Sequence, residues 1–514
     1  MLMLLVAVVS ALSATGSVAG KYPVICYWES WSVYRAAPYT GNVLTLPVDK
    51  CTHVIYTFLG LDESTNRVKY LDPFLDIDHR GIAKFVALKE VRRDLKVSFA
   101  IGGWNERSER YSRMASTYAG RRIFATSVAA VIQKFDFDGV DLDWEYPGAV
   151  GGNPYMDKLN FVLLLKAIRK AIGKDKLLTV AVPAIVNVDI GYNVPEISKI
   201  VDYIHVMTYD LHGPWEPTVD NHVLLHKRRS DPAILTLFNV AGALIAWEAR
   251  GAPSSKLILG FAFYGRSFTL ANSNKTYIGA PAQGPGRKGP ISQTEGTLFY
   301  FEICELLRTN KHWTSAWDNE AKVPYAYGDD QWVGYDNEEG IKYKVELIKS
   351  AGYGGAMIWA VNNDDANALC NTKVKYPLLT AISAQLNGNE SRERASQTNE
   401  TSSALTSTTL DGRTTPRDLA PSLNYNSTIS EMESISTSTA ALPTTSAALW
   451  PQRCEKHTLP HTASCRKFFV CDDAGRIRLT ELSCPAGLVY NEDQLVCDWN
   501  FNTHPAPAGC PDFL

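Results

Sequence analysis

The chain has almost no net charge: 51 Lys and Arg stand against 54 Asp and Glu, a formal −3. No basic patch emerges, so the electrostatic footprint of a nucleic-acid binder is missing. Beyond its first residues it has no long apolar run either. A bilayer-spanning helix needs about 20 such residues and has no candidate here. The ten cysteines include no Cys-x-x-Cys pair, a spacing typical of zinc and redox sites. What remains, at 514 residues, is too long for one ordinary domain and suggests two or three units. The cysteines are even in number, and six of them lie between Cys454 and Cys510. That usage reads as disulfides formed in an oxidising compartment.

Residues 1–20 begin Met-Leu-Met-Leu-Leu-Val-Ala-Val-Val and end in small residues. They read as a secretory signal with Ser17-Val18-Ala19 at the cleavage site, although the usual positive start is absent. A secreted, extracellular protein is expected. From Tyr22 to about Leu386, short apolar runs alternate with amphipathic stretches such as Arg121 to Lys134 and Tyr155 to Ile172. Candidate strands are 24–27, 53–60, 96–103, 139–145, 177–183, 203–210, 256–264 and 354–361. Near-continuous apolar runs are what parallel strands covered on both faces need. Eight of them alternating with helices predict an α/β fold, a (β/α)8 barrel with its active site at the C-terminal strand ends. The gap from Gly265 to Gly352 is too long for a simple crossover.

One stretch stands apart. From Val140 to Tyr146 the residues alternate strictly, apolar at Val140, Leu142, Trp144 and Tyr146, acidic at Asp141, Asp143 and Glu145. Period-two alternation is a strand signal that puts the three carboxylates on one face, their Cα atoms about 6.7 Å apart in sequence order. Pro147-Gly148 follows, so Glu145 is expected at the strand tip. Three like charges in a row repel, so at least one should hold a proton at neutral pH, as a general acid must. A solvent-washed face fits poorly with flanks that look buried. A calcium loop fails because Tyr146 and Gly152 occupy the positions that need Gly and Glu.

Asp138-x-x-Asp141-x-Asp143-x-Glu145 resembles the active-site signature of family 18 glycoside hydrolases, the chitinases and their lectin-like relatives, in particular the chitotriosidase and acidic-chitinase type. Other strand ends support it: Gly102-Gly103-Trp104-Asn105, Met207-Thr208-Tyr209-Asp210, Tyr264-Gly265-Arg266 and Trp359. The resemblance implies that Glu145 protonates the glycosidic oxygen while the substrate's own 2-acetamido carbonyl attacks the anomeric carbon. Asp143 then orients the acetamido NH, Tyr209 binds its carbonyl oxygen, and Asp141 shares a proton with Asp143. Water activated by Glu145 completes hydrolysis with retention. Such substrate assistance replaces the carboxylate nucleophile of ordinary retaining enzymes. It needs an N-acetyl sugar and so points to chitin and chito-oligosaccharides, with no cofactor and no metal. Substrate contacts are implied for Tyr27, Trp31, Phe58, Gly102, Gly103, Trp104, Asn105, Tyr146, Met207, Asp210, Trp215, Tyr264, Arg266 and Trp359. The resemblance further implies an α+β insertion at about 265–352 forming one wall of the cleft, and disulfides Cys26–Cys51 and Cys304–Cys370. This chain departs from the pattern at His222-Val223-Leu224-Leu225-His226 and at Ala262, changes that touch a loop and a packing position.

After residue 386 the composition turns to Ser and Thr with few aromatics. Residues 387–449 read as a disordered, O-glycosylated linker. Asn389, Asn399 and Asn426 head N-glycosylation sequons within it, and Asn274 heads one in the barrel. Residues 450–514 are too few for an adequate core and call for disulfide staples, with zinc as the alternative. Cys465-Arg-Lys-Phe-Phe-Val-Cys471, Cys484-Pro-Ala-Gly-Leu-Val-Tyr490-Asn491 and Cys497-Asp498-Trp499 resemble a peritrophin-type chitin-binding module of carbohydrate-binding family 14. Six cysteines allow fifteen connectivities. The resemblance implies Cys454–Cys471, Cys465–Cys510 and Cys484–Cys497, with Tyr490 and Trp499 stacking on sugar rings. The whole reads as a secreted, monomeric, modular chitinase, endo-acting or processive, or else a non-catalytic chitin-binding lectin on the same fold.

Overall fold

The computed structural model describes residues 22–149, 151–185, 188–370 and 373–388, and five strands between Thr458 and Trp499. The expected signal, nearly all of the expected linker, its three sequons and the C-terminal cysteine pairings lie outside the described residues.

Eight parallel strands close a barrel: Val24–Glu29 (β1), His53–Asp62 (β2), Lys96–Gly102 (β3), Gly139–Asp143 (β4), Leu177–Pro183 (β5), Tyr203–Met207 (β6), Leu257–Ala262 (β7) and Gly355–Trp359 (β8). Each pairs with the next, and β8 pairs back with β1. Strand alternation sorts the side chains. Val24, Cys26 and Trp28 of β1 join the large apolar layer under the helices, while Ile25 and Tyr27 face the barrel interior with Ile55, Ala100, Ile258 and Met357. A packed interior of this kind leaves the open cleft at the strand ends.

Local chemistry sets the element ends. Helix Tyr118–Phe135 starts where the Thr117 hydroxyl accepts the Gly120 N–H at 3.0 Å, and stops at Asp136 in the left-handed conformation. Two residues on, Asp138 clamps β4 to β3: its carboxylate accepts the Val97 N–H at 2.8 Å and its own N–H donates to the Val97 carbonyl at 2.7 Å. The register that aims Asp141 and Asp143 into the barrel is thereby pinned at its start. Helix Asp157–Ile172 then packs against Tyr118–Phe135, and its Phe161 ring meets Trp144 edge-on at 5.8 Å between centres.

The segment after β7 is a second, antiparallel sheet. Its strands run Ala282–Pro285, Tyr264–Leu270, Gln331–Gly334, Val323–Gly328 and Thr314–Asp318 in spatial order, with Thr297–Phe299 added against Tyr264–Leu270. Helices Tyr300–Thr309 and Glu338–Ala351 complete an α+β insertion. The expectation that Tyr264 ends the seventh strand needs correcting. β7 stops at Ala262, and Tyr264 with Arg266 opens the insertion sheet. Cys26 bonds Cys51, and Cys304 on the insertion bonds Cys370 after β8. Helix Pro377–Asn387 closes the barrel and reaches the first residue of the expected linker. Among the described residues no helix is long and apolar enough to cross a membrane.

The C-terminal strands are Thr458–His461, Ser464–Cys471 and Ile477–Ser483 in one sheet, with Leu488–Asn491 and Val496–Trp499 as an antiparallel pair. Tyr490 lies opposite Cys497, and Trp499 opposite Leu488.

Candidate active site

A cleft of about 1140 Å³ opens at the C-terminal ends of the barrel strands. Every residue expected at the site lines it except Asp141, which lies fully buried beneath. Three groups of side chains build it.

The first is the acidic stretch. β4 ends at Asp143, so Glu145 stands just past the strand and not on its regular face. The peptide bond that follows, Glu145–Tyr146, is cis, as are Thr57–Phe58 and Trp359–Ala360 elsewhere on the rim. Asp141 Oδ2 accepts the Tyr27 hydroxyl at 2.7 Å, and Oδ1 accepts the Thr179 hydroxyl at 2.5 Å. Burial pushes the Asp143 carboxyl well above the usual range, and the charges of Glu145 and Asp141 push it further. Asp143 Oδ1 is buried without a hydrogen-bond partner. Burial likewise raises Glu145 to about 7, against hydrogen bonds from Tyr146 and the Trp104 backbone that favour its charged form. Close approach sets the neighbouring glycines. Gly102 sits at φ +122, where a Cβ would collide with the Asp143 carbonyl, and the Gly103 N–H donates to that carbonyl at 2.9 Å.

The second group is an aromatic wall. Trp359 at the tip of β8 packs on Phe58 at 5.5 Å between ring centres, and Phe58 stacks on Trp31 at 6.1 Å and 17°. Tyr27 meets Trp359 edge-on. Trp31 and Trp104 line the cleft with 42% and 43% of their surface exposed. Flat apolar faces of this kind suit pyranose rings, whose axial C–H groups bury against them.

The third group is an ion-paired corner. Arg266 donates from Nε and Nη2 to the two oxygens of Asp210, each at 2.7 Å, and Tyr264 donates its hydroxyl to Oδ1 at 2.8 Å. Burial favours the neutral acid here, but the Arg266 guanidinium holds the Asp210 carboxyl well below its ordinary range. The guanidinium also lies over the rings of Tyr264 and Trp215, 5.2 and 5.5 Å from their centres. His222 stands behind this corner. Its Nδ1 accepts the Asp210 backbone N–H at 3.3 Å, and its Nε2 is 3.1 Å from the Tyr264 carbonyl. The departure at His222–His226 therefore reaches the cleft through one residue, although sequence reading placed it in a loop. Ala262 is buried at the end of β7.

Several cleft residues escaped the sequence reading. Glu29, Thr294, Thr297 and Phe299 line the wall, and Thr179 and His205 lie under Asp141. The first four come from a strand tip, an insertion loop and the short insertion strand Thr297–Phe299, with no motif around them. For Thr179 and His205 the inward parity of β5 and β6 was the available signal.

The model of "Glycosyl hydrolases family 18" matches residues 23–364, and that of "Chitin binding Peritrophin-A domain" matches residues 452–510. An endochitinase of Manduca sexta is 41% identical over 71% of this chain and 68% of its own. An endochitinase of Brugia malayi is 33% identical over 97% of both chains. Among solved structures, Ostrinia furnacalis Group IV chitinase in complex with allosamidin superimposes with a TM-score of 0.69. It is 36% identical, over 71% of this chain and 98% of that one.

Proposed function

The chain belongs to family 18 of the glycosyl hydrolases, and on that footing we propose that it hydrolyses the β-1,4 bonds of chitin by substrate-assisted, retaining catalysis. The observation that carries the mechanism is the state of the acidic pair. Burial raises Glu145 to about 7, so part of it is protonated near neutral pH, and Asp143, which lines the cleft, has a buried Oδ1 without a partner. A buried unsatisfied acceptor suits a donor brought by the ligand, here the acetamido N–H.

In this reading a chain of N-acetylglucosamine units lies along Trp31, Phe58 and Trp359. Glu145 gives its proton to the glycosidic oxygen as the C–O bond breaks. The acetamido oxygen closes on the anomeric carbon, its N–H held by Asp143 and its oxygen by the Tyr209 hydroxyl. Burial keeps that hydroxyl protonated, far above its ordinary pKa. Glu145, now ionised, takes a proton from water, which opens the ring intermediate with net retention. Asp141 supports Asp143 from below. Trp104, Trp215 and the Asp210–Arg266 corner hold the rest of the chain. Residues 1–20 direct secretion, and the C-terminal module raises the local concentration of substrate at the end of a linker.

The test is hydrolysis of a soluble chito-oligosaccharide by wild type and Glu145→Gln, with product anomers followed early. Initial β-anomer from wild type and none from the variant supports the reading. Binding without cleavage by wild type replaces it with a lectin. A second prediction concerns the tail: a chain ending near residue 449 keeps its rate on soluble oligomers and loses rate on crystalline chitin. Equal loss on both substrates contradicts a modular arrangement.

A further inference from the structure

The hydrogen-bonded ladder of β4 ends at Asp143, opposite Gly102 of β3, so the proton donor Glu145 stands two residues beyond it. A displacement of about 1 Å at a reacting group costs on the order of 10²-fold in rate. The segment around Glu145 therefore needs an anchor that the strand does not supply.

Helix Ser108–Ser116, which follows β3, supplies one. Ser108, Tyr111 and Ser112 share one face of it, and all three are buried. The Ser108 Oγ accepts the indole N–H of Trp144 at 2.7 Å and lies 2.6 Å from the carbonyl oxygen of Tyr146. An indole N–H only donates and a carbonyl only accepts, so the direction of both bonds is settled. The single proton of the serine goes to Tyr146. One hydroxyl thus grips the residues on either side of Glu145. Tyr111 packs on the Trp144 ring, 6.1 Å between centres. Ser112 donates to Asp157 Oδ1 at 2.7 Å, and Oδ2 accepts the N–H groups of Gly148 and Asn153 at 3.0 and 2.7 Å. The chain is tied to the same helix again just past Pro147.

We propose that Ser108 is a positioning residue for catalysis: by bridging Trp144 and Tyr146 it fixes Glu145 in the cleft, beyond the end of the β4 ladder. Removing the hydroxyl leaves the Trp144 N–H without its partner in a buried place and frees one acceptor site on the Tyr146 carbonyl. The Ala149 N–H still donates to that carbonyl at 3.1 Å. The turn after Glu145 therefore survives, and what is lost is its attachment to the helix.

The inference rests on the role proposed for Glu145, and its test uses the full chain. Ser108→Ala should lower kcat about tenfold or more with KM for a soluble oligomer changed less than about twofold, because the aromatic wall and the Asp210 corner keep their contacts. The basic limb of kcat/KM against pH should also move below about 7, since water admitted around the carboxyl weakens the burial that raises it. Ser108→Thr keeps the hydroxyl and should recover most of the loss. A serine that only helps the fold would lower the melting temperature and leave that limb in place. In parallel, carbon NMR of the 13C-glutamate-labelled chain, with the Glu145 signal assigned through Glu145→Gln, follows the carboxyl without turnover. Its titration should move to lower pH in Ser108→Ala. Wild-type kcat in the alanine variant, an unmoved titration, or a threonine variant no better than the alanine one overturns the inference alone. No turnover by wild type, or turnover by Glu145→Gln, overturns the catalytic reading instead, and the carboxyl titration still decides whether Ser108 holds Glu145.

Discussion

The acids at the C-terminal end of β4 and the acid at Asp210 line the same cleft, yet the structure treats them in opposite ways. Asp143 and Glu145 are desolvated among other acids, and both are pushed up, Glu145 to about 7. Asp210 is desolvated as well, but a two-pronged Arg266 and the Tyr264 hydroxyl hold it ionised. The difference is not burial, which favours the neutral acid in all three. It is whether a fixed cation faces the carboxylate. A cleft that must both donate a proton and grip a polar chain needs one of each, and the two lie close enough for Asp210 to raise Glu145.

The largest break in that contrast is Glu145→Gln, which removes the acid and keeps the shape. A fall in kcat of roughly 10²–10⁴ is expected, with oligomer binding retained in a titration. Next is Arg266→Ala. It strips Asp210 of its cation, so Asp210 moves toward the pattern of β4, and KM for long oligomers should rise by about tenfold or more. A KM within twofold of wild type would show that the corner only packs. Third is the pH profile. Glu145 acts as acid only while protonated, so kcat/KM should fall as pH rises through about 7, as steady-state rates against pH will show.

The smallest effect is on stability, and its sign runs against activity. The folded pKa of Glu145 lies above its unfolded value, so its contribution is fully present below about 4.3 and is lost as pH rises through about 7. Glu145→Gln should therefore melt a few degrees higher than wild type at pH 8 and match it near pH 4. Equal melting temperatures at pH 8 would show that the acid is not strained by its place.

The eight strands were readable because each is an apolar run covered on both faces, and the acids of β4 break that run at every second place. Boundaries were less readable. Glu145 continues the alternation but lies past the strand, and Tyr264 continues the apolar run of β7 while belonging to the insertion sheet. Periodicity reports which side a residue faces, not where the hydrogen-bonded ladder stops. The link from Asp210 to His222 was hidden for another reason. The two stand 12 positions apart on irregular chain, and only the path of that loop brings the imidazole behind the carboxylate.

By itself the sequence determined the alternation of strands and helices, the single face shared by Asp141 and Asp143, and the crowding of acids that pushes carboxyls up. These follow from local periods and from like charges near one another in the chain. Only the closed barrel decided what each acid meets. Tyr27 and Asp141 are 114 residues apart, Tyr27 and His205 are 178 apart, and Arg266 reaches Asp210 across 56. Desolvation and counter-charge act through space. Which carboxyl keeps its proton and which stays ionised is therefore a property of strand ends gathered in a ring, and no window along the chain contains it.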